Sequence, residues 1–199
     1  MKIKKALLAS AVIAGLSSVS TSQATTLMRA SLDELVQHNH TIIAGEVVDM
    51  YSYWNADSSF IFTDVTITVE DNMKGRYRSG SEVTFTLMGG TVNDRTAMIV
   101  AGPSVKLGSD YVFFLNNEDL PGAKSKLTIR ELSQGIFDLI PAKDGARVIS
   151  QANGHALYPD SRGNVEVAGG AKGYLFSDFK REVNEIAVNV RDLTGSAAK

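Results

Sequence analysis

The chain contains no cysteine. That absence excludes a disulfide framework, a thiol nucleophile, a cysteine-ligated metal centre and a thioether-linked lipid. It also leaves an exported product indifferent to the redox state of its compartment. Excess basic charge is lacking as well. Lysine and arginine number 20 against 22 acids, for a formal net charge of −2. A nucleic-acid binder needs a basic face that displaces counterions, and this composition supplies none. No apolar run reaches the roughly 20 residues of a membrane-spanning helix. Catalytic signatures are missing too: there is no Gly-x-Ser-x-Gly elbow, no HExxH helix and no phosphate-cradling glycine loop with a lysine. No catalytic residue, metal site or cofactor is therefore expected.

Lys2, Lys4 and Lys5 lead into an apolar stretch from Ala6 to Leu16, followed by the small-residue segment Ser22-Gln23-Ala24. This is the three-part layout of a secretory signal peptide. Residues 1–24 are expected to be a cleaved leader, placing the product in the periplasm or outside the cell. Residues 25–195 then form one domain, large enough to bury a core without staples, and 196–199 a frayed tail.

The mature part opens with a capping box. Ser31 stands three residues before Glu34, and Leu35 and Val36 follow, which predicts a brief helix. From Thr41 the period changes to two. Thr41–Trp54 reads as a long strand with a bend or bulge at Gly45. After the turn-forming Asn55–Ser59, the segment Phe60–Asp71 alternates cleanly. Ile61, Val65, Ile67 and Val69 share one face; Asp64, Thr66, Thr68 and Glu70 share the other. One wet and one apolar face predict an antiparallel sheet. Further strands are expected at Glu82–Met88, Thr96–Val100, Tyr111–Leu115, Leu127–Glu131, Ile136–Ile140 and Arg147–Ile149. Tyr111–Leu115 is apolar on both faces and should lie centrally. All four prolines fall between these runs, as ladder hydrogen bonding requires. Residues 151–173 read as an irregular excursion. A final helix, capped by Ser177 and ended by Gly195, carries the stripe Phe179, Val183, Ile186, Ala187 and Val190. The whole predicts a mainly β fold, a small antiparallel barrel of the oligonucleotide/oligosaccharide-binding type, with a short N-terminal and an amphipathic C-terminal helix. A β-sandwich is the competing architecture.

Ile42-Ile43-Ala44-Gly45-Glu46-Val47, Met73-Lys74-Gly75, Gly89-Gly90, Gly102-Pro103, Leu107 through Leu115, and Ser133-Gln134-Gly135-Ile136-Phe137 follow one another in an order that resembles a family of bacterial secreted domains. Some members of that family stand beside a matrixin-type metalloprotease domain. The strand pattern is also similar to the netrin-like barrel of tissue inhibitors of metalloproteases. Ile136 departs from the pattern, which has a lysine there. The resemblance implies a netrin-like barrel and a protease-associated role. It does not carry over the inhibitors' zinc grip, which uses an N-terminal cysteine; the expected mature N-terminus here is Thr25-Thr26.

Three constellations invite chemistry. His38 and His40 alternate at an element boundary, where two imidazoles on one strand face would approach a common metal; two solvated histidines are the plainer reading. Ser177 and Lys180 share the Ser-x-x-Lys spacing of penicillin-interacting enzymes, but the partner motifs are absent and a helix cap accounts for Ser177. Met50, Tyr51, Tyr53 and Trp54 cluster at the far end of the first long strand, with Phe60 and Phe62 across the turn. Cross-strand packing is one reading. The other is an exposed aromatic edge formed by Tyr53, Trp54 and Phe60, since rings at a hairpin end make good binding anchors. Tyr51, well inside the strand, is expected to pack, and Trp54, beside the polar turn, to be exposed. The sequence thus points to a non-catalytic exported binding module. Its partner would be another secreted protein, a protease or an envelope polymer. The runner-up is a metalloprotease-associated modulator that acts by occlusion, without zinc chelation. A third class is a hydrolase with a carboxylate pair, for which Asp64 and Glu70 stand on the polar face of one strand, where solvent exposure alone accounts for them.

Overall fold

The computed structural model describes residues 27–153, 155, 157–158, 170 and 172–196; the expected leader and its cleavage site lie outside them. Strand β1 (Leu27–Met28) precedes helix α1 (Leu32–His38). The capping box forms as expected: the Glu34 amide donates to Ser31 Oγ at 3.2 Å and the Ser31 amide donates to Glu34 Oε2 at 2.7 Å. Two otherwise orphaned amides are satisfied reciprocally.

Strands β2 (Thr41–Trp54) and β3 (Ile61–Lys74) form the long hairpin, β3 running past the expected end at Asp71. Strand β4 (Glu82–Met88) follows. Positive φ angles at Gly89 and Gly90 then turn the chain directly into a small hairpin, β5 (Gly90–Val92) and β6 (Arg95–Ala97). The single strand expected at Thr96–Val100 is instead this second arm, displaced towards the N-terminus, because Thr91 and Thr96 pair across it. Strands β7 (Asp110–Asn117), β8 (Leu127–Thr128), β9 (Ile136–Ile140) and β10 (Arg147–Ser150) complete the body, with a 3₁₀ turn at Leu132–Gly135 before β9. Strand β11 (Leu157–Tyr158) pairs in parallel with β1, and β12 (Tyr174–Leu175) leads into helix α2 (Phe176–Ser196).

The main sheet runs β12-β10-β9-β7-β2-β3-β4, with β8 branching from β7, and the ladders along it are antiparallel. The mainly β fold with a C-terminal helix is as expected. Closure is not: among the described residues no ladder joins β4 to the far side. The sheet curls until side chains bridge the gap, Thr128 Oγ1 donating to the Thr86 carbonyl at 2.7 Å and Ser125 Oγ to the Thr84 carbonyl at 3.1 Å.

Curling gives the sheet two apolar faces. Ile42, Ala44, Val112, Phe114 and Phe137 meet the helices, where Phe179, Val183 and Ala187 of α2 and Leu35 and Val36 of α1 pack against them. Ile43, Val47, Val65, Ile67, Phe85, Tyr111, Phe113, Leu115 and Ile136 fill the inside of the curl. Successive side chains of a strand point to opposite faces, so β7 must be apolar throughout. Phe179 is fully buried against Phe114, Phe137 and Tyr174, with ring centroids at 6.2, 5.3 and 5.3 Å. Gly45 sits at a register shift where β2 and β3 come close. A Cβ there would lie 2.2 Å from the Thr68 carbonyl oxygen.

Both expected boundaries of the final helix move. It starts at Phe176, so Ser177 lies in the first turn rather than at the cap, and it continues through Gly195 to Ser196. Glycine lowers helix propensity without forbidding the conformation.

Candidate functional site

Strand β2 changes character along its length. From Thr41 to Glu46 it pairs with β7 on one side, and along most of its length with β3 on the other. At Val47 the partner changes: the Val47 amide donates to the Ser109 carbonyl, and its carbonyl accepts from the Gly108 amide. A register shift follows at Val48, and beyond it β2 pairs with β3 alone. This outer end carries Val48, Met50, Tyr51 and Trp54, all substantially exposed.

Tyr51 and Tyr53 lie on one face of the hairpin end. Their rings stack at 6.1 Å with an interplanar angle of 16°. Tyr53 is buried and Tyr51 is 58% exposed, so the inner ring serves as a platform for the outer one. The Lys124 ammonium stands over both, 4.1 Å from the Tyr53 centroid and 4.9 Å from that of Tyr51. A cation over a ring face is attracted by the ring quadrupole, worth about 0.5–1 kcal/mol at an exposed site.

Polar bonds fix the platform. The Tyr53 hydroxyl donates to Asp64 Oδ1 at 3.0 Å and accepts from the Lys124 amide at 2.8 Å. Thr86 Oγ1 donates to the same Asp64 oxygen at 2.6 Å. Burial pushes the Tyr53 phenol above its ordinary value, and the Asp64 carboxylate adds to this against the opposing bonds from Lys124 and Thr86. The phenol is therefore held neutral as a donor. Phe62 packs on Tyr53 at 6.2 Å, and Phe60 on Phe62 edge-on at 5.3 Å. Trp54 pairs with Ile61 on the opposite face and is 37% exposed.

Of the expected edge residues, Trp54 is presented, Phe60 is half-buried beside the turn, and Tyr53 is the buried support. The expectation that Tyr51 would pack is corrected. At Tyr51 the strand no longer has a neighbour on the β7 side, so a mid-strand position has no second wall. Lys124 was not anticipated. It reaches the site from the segment joining β7 to β8, and no local pattern links a lone lysine there to a tyrosine pair more than 70 residues earlier in the chain.

The other candidates do not gather into a reacting centre. Asp64 is committed to Tyr53 and Thr86, and Glu70 stands towards the opposite end of β3. The Glu70 carboxyl is pushed up by desolvation first, then by the Asp110 and Glu46 carboxylates. His38, His40 and His155 are exposed, and the His40 ring bonds Asn116. Among the described residues no group of three or more histidines and carboxylates is placed to hold a metal ion. Lys180 of the Ser-x-x-Lys spacing pairs with Asp71. A cleft of about 720 Å³ lies between the Gly102–Asp110 segment and the β9–β10 pair. Gln151 spans its floor, accepting from the Ser104 amide at 2.8 Å and donating to the Ser104 carbonyl and to Asp138, each at 2.7 Å. Those bonds tie the cleft walls together and use up the polar atoms that make them. Among the described residues no helix is long and apolar enough to cross a membrane.

The chain matches no protein-family model and no curated protein.

Proposed function

We propose that this protein is a non-catalytic, exported binding module that recognises another secreted protein through the outer end of its long hairpin. The observation that carries the reading is the presentation of Tyr51: an exposed ring stacked on a buried ring, under the ammonium of Lys124 and above a hydrogen-bonded tyrosine–aspartate–threonine support. Aromatic side chains supply large contact area at low entropic cost, and a ring held rigid before binding loses little freedom on association. Trp54 and Met50 widen the apolar surface on the other face of the same strand. Lys124 adds a cation that favours an acidic or carbonyl-rich contact beside the rings.

Export follows from the leader layout at Lys2–Ala24, and intact-mass measurement of secreted material tests it. A product beginning at Thr25 agrees; a mass retaining Met1–Ala24 contradicts it. The binding surface is tested by capture from a secreted fraction with the mature chain, comparing wild type with Tyr51→Ala. The expected outcome is loss of the captured species with only a small fall in the unfolding midpoint. Equal capture by both proteins would move the contact surface elsewhere.

A further inference from the structure

The outer end of β2 also carries an unfinished backbone edge. On β3, the Ile61 carbonyl accepts from the Gly89 amide and the Val69 amide donates to the Ser81 carbonyl, so its odd-numbered residues address β4 and its even-numbered residues address β2. Phe62 and Asp64 are therefore the hydrogen-bonding partners of Tyr53 and Tyr51. Peptide groups of a strand alternate in direction, so Met50, Ser52 and Trp54 turn their amides and carbonyls away from β3. Val47, on the same outward side, bonds the Gly108–Ser109 segment. Beyond it, among the described residues, no backbone or side-chain group bonds the outward amides and carbonyls of Met50, Ser52 and Trp54.

Natural edge strands are usually protected by lysine, proline or an inward charge. The segment Met50-Tyr51-Ser52-Tyr53-Trp54 contains none of these. The irregularity at Val48 precedes the open stretch, and Gly90 of β5 lies against the Ser52 and Thr63 side chains on the face of the hairpin without bonding its outward backbone groups. Uncharged, aromatic and strand-forming, it has the character of an edge meant to be paired.

We infer that this edge pairs with the same edge of a second copy, antiparallel about a two-fold axis at Ser52. In that register Ser52 faces Ser52 of the second copy, and Met50 faces its Trp54. All the outward amides and carbonyls of the three residues then find partners at once. Tyr51 falls opposite Tyr53 of the second copy on one face, and methionine meets tryptophan on the other, both favourable cross-strand pairs. Along the strands themselves no like charges meet: Asp49 falls opposite Asn55. A two-fold axis makes the contact isologous and self-limiting. An acidic or basic peptide would gain no charge partner from the strand itself, whereas a neutral edge of identical sequence is complementary to this one along its whole length. The ladder is short, so the dimer depends on protein concentration.

The pairing shares its residues with the proposed binding surface, but its test does not depend on that role, because it is measured on purified mature protein with no other component present. Sedimentation velocity across a concentration series should show monomer converting to dimer. Ser52→Pro removes one outward amide and leaves every β2–β3 backbone bond in place, giving up only the side-chain bond between Ser52 Oγ and Thr63 Oγ1, and should weaken dimerisation by about tenfold or more. Met50→Glu keeps the backbone intact and places an anion opposite the electron-rich face of tryptophan; it should weaken the dimer likewise and serves if the proline variant does not fold. A wild-type chain that stays monomeric at every concentration would overturn the proposal, as would a dimer that both variants leave unchanged. Open-ended assembly in place of a dimer would also overturn it, since the two-fold contact closes on itself.

Discussion

Thr41–Glu46 and Val48–Trp54 belong to one strand yet live in different surroundings. The inner segment has a strand on each side. Apart from Glu46 its residues are buried, feeding alternate side chains to the helix-side core and to the inside of the curl. The outer segment has a strand on one side only, and its side chains are mostly exposed. Both segments are rich in strand-forming residues, so composition does not separate them. The length of β7 does. It begins at Asp110, opposite Glu46, and past the bonds of Val47 to Gly108 and Ser109 the rest of β2 has no neighbour on that side among the described residues. Burial along β2 is decided by where the partner strand starts, and the proposed contact surface is what that strand leaves uncovered.

The comparison breaks first where the inner region is disturbed. Phe179→Ala empties a site walled by Phe114, Phe137 and Tyr174 and should cost about 3–5 kcal/mol, read from denaturant unfolding. A negligible shift would mean that α2 does not cover the sheet. Gly45→Ala places a methyl group 2.2 Å from a backbone oxygen that cannot swing aside. A loss of about 1–3 kcal/mol is expected from that overpacking. In the outer region the same assay should barely respond. Tyr51→Ala removes one aromatic pair and one cation contact, at about 0.5–1.5 kcal/mol, while capture of the partner falls. A core-sized loss for Tyr51→Ala would erase the distinction between the two halves.

The smallest effect concerns Glu70. Its folded value is raised, so the native state holds the proton more tightly than the unfolded chain does, and stability declines as pH rises through the carboxylate range above the ordinary 4.5. Glu70→Gln removes that penalty. Its melting temperature should exceed wild type slightly at neutral pH, and the gain should vanish below about pH 4, where both states are protonated. A gain that persists in acid would mean that packing, not charge, is responsible.

Much of the fold was legible because its signals are local. Ser31 and Glu34 define a helix start within one turn. The alternation of Ile61, Val65, Ile67 and Val69 defines a half-buried strand without reference to anything else. Tyr111–Leu115 announced a strand covered on both faces, and the two cores account for it. Closure of the barrel was not legible, because it depends on whether β4 and β8 meet through backbone or side chains, and Thr86 and Thr128 carry no mark of that. The site was half legible. The aromatic cluster stood out by composition, and Trp54 was correctly placed at its rim. The inversion of Tyr51 and Tyr53 followed from the β7 terminus and from Lys124, both distant in sequence. The Ser177 cap and the Gly195 stop failed for a simpler reason: propensity at a single residue yields to the packing of a long amphipathic helix.

Amide hydrogen exchange resolved along β2 tests the central claim most directly. At high dilution, the amides of Tyr51 and Tyr53, turned towards β3, should exchange slowly. Those of Met50, Ser52 and Trp54 should exchange fast and gain protection as concentration rises. Slow exchange at all five positions, unchanged by dilution, would contradict the account, because it would mean that the outer edge of β2 is already covered within a single chain.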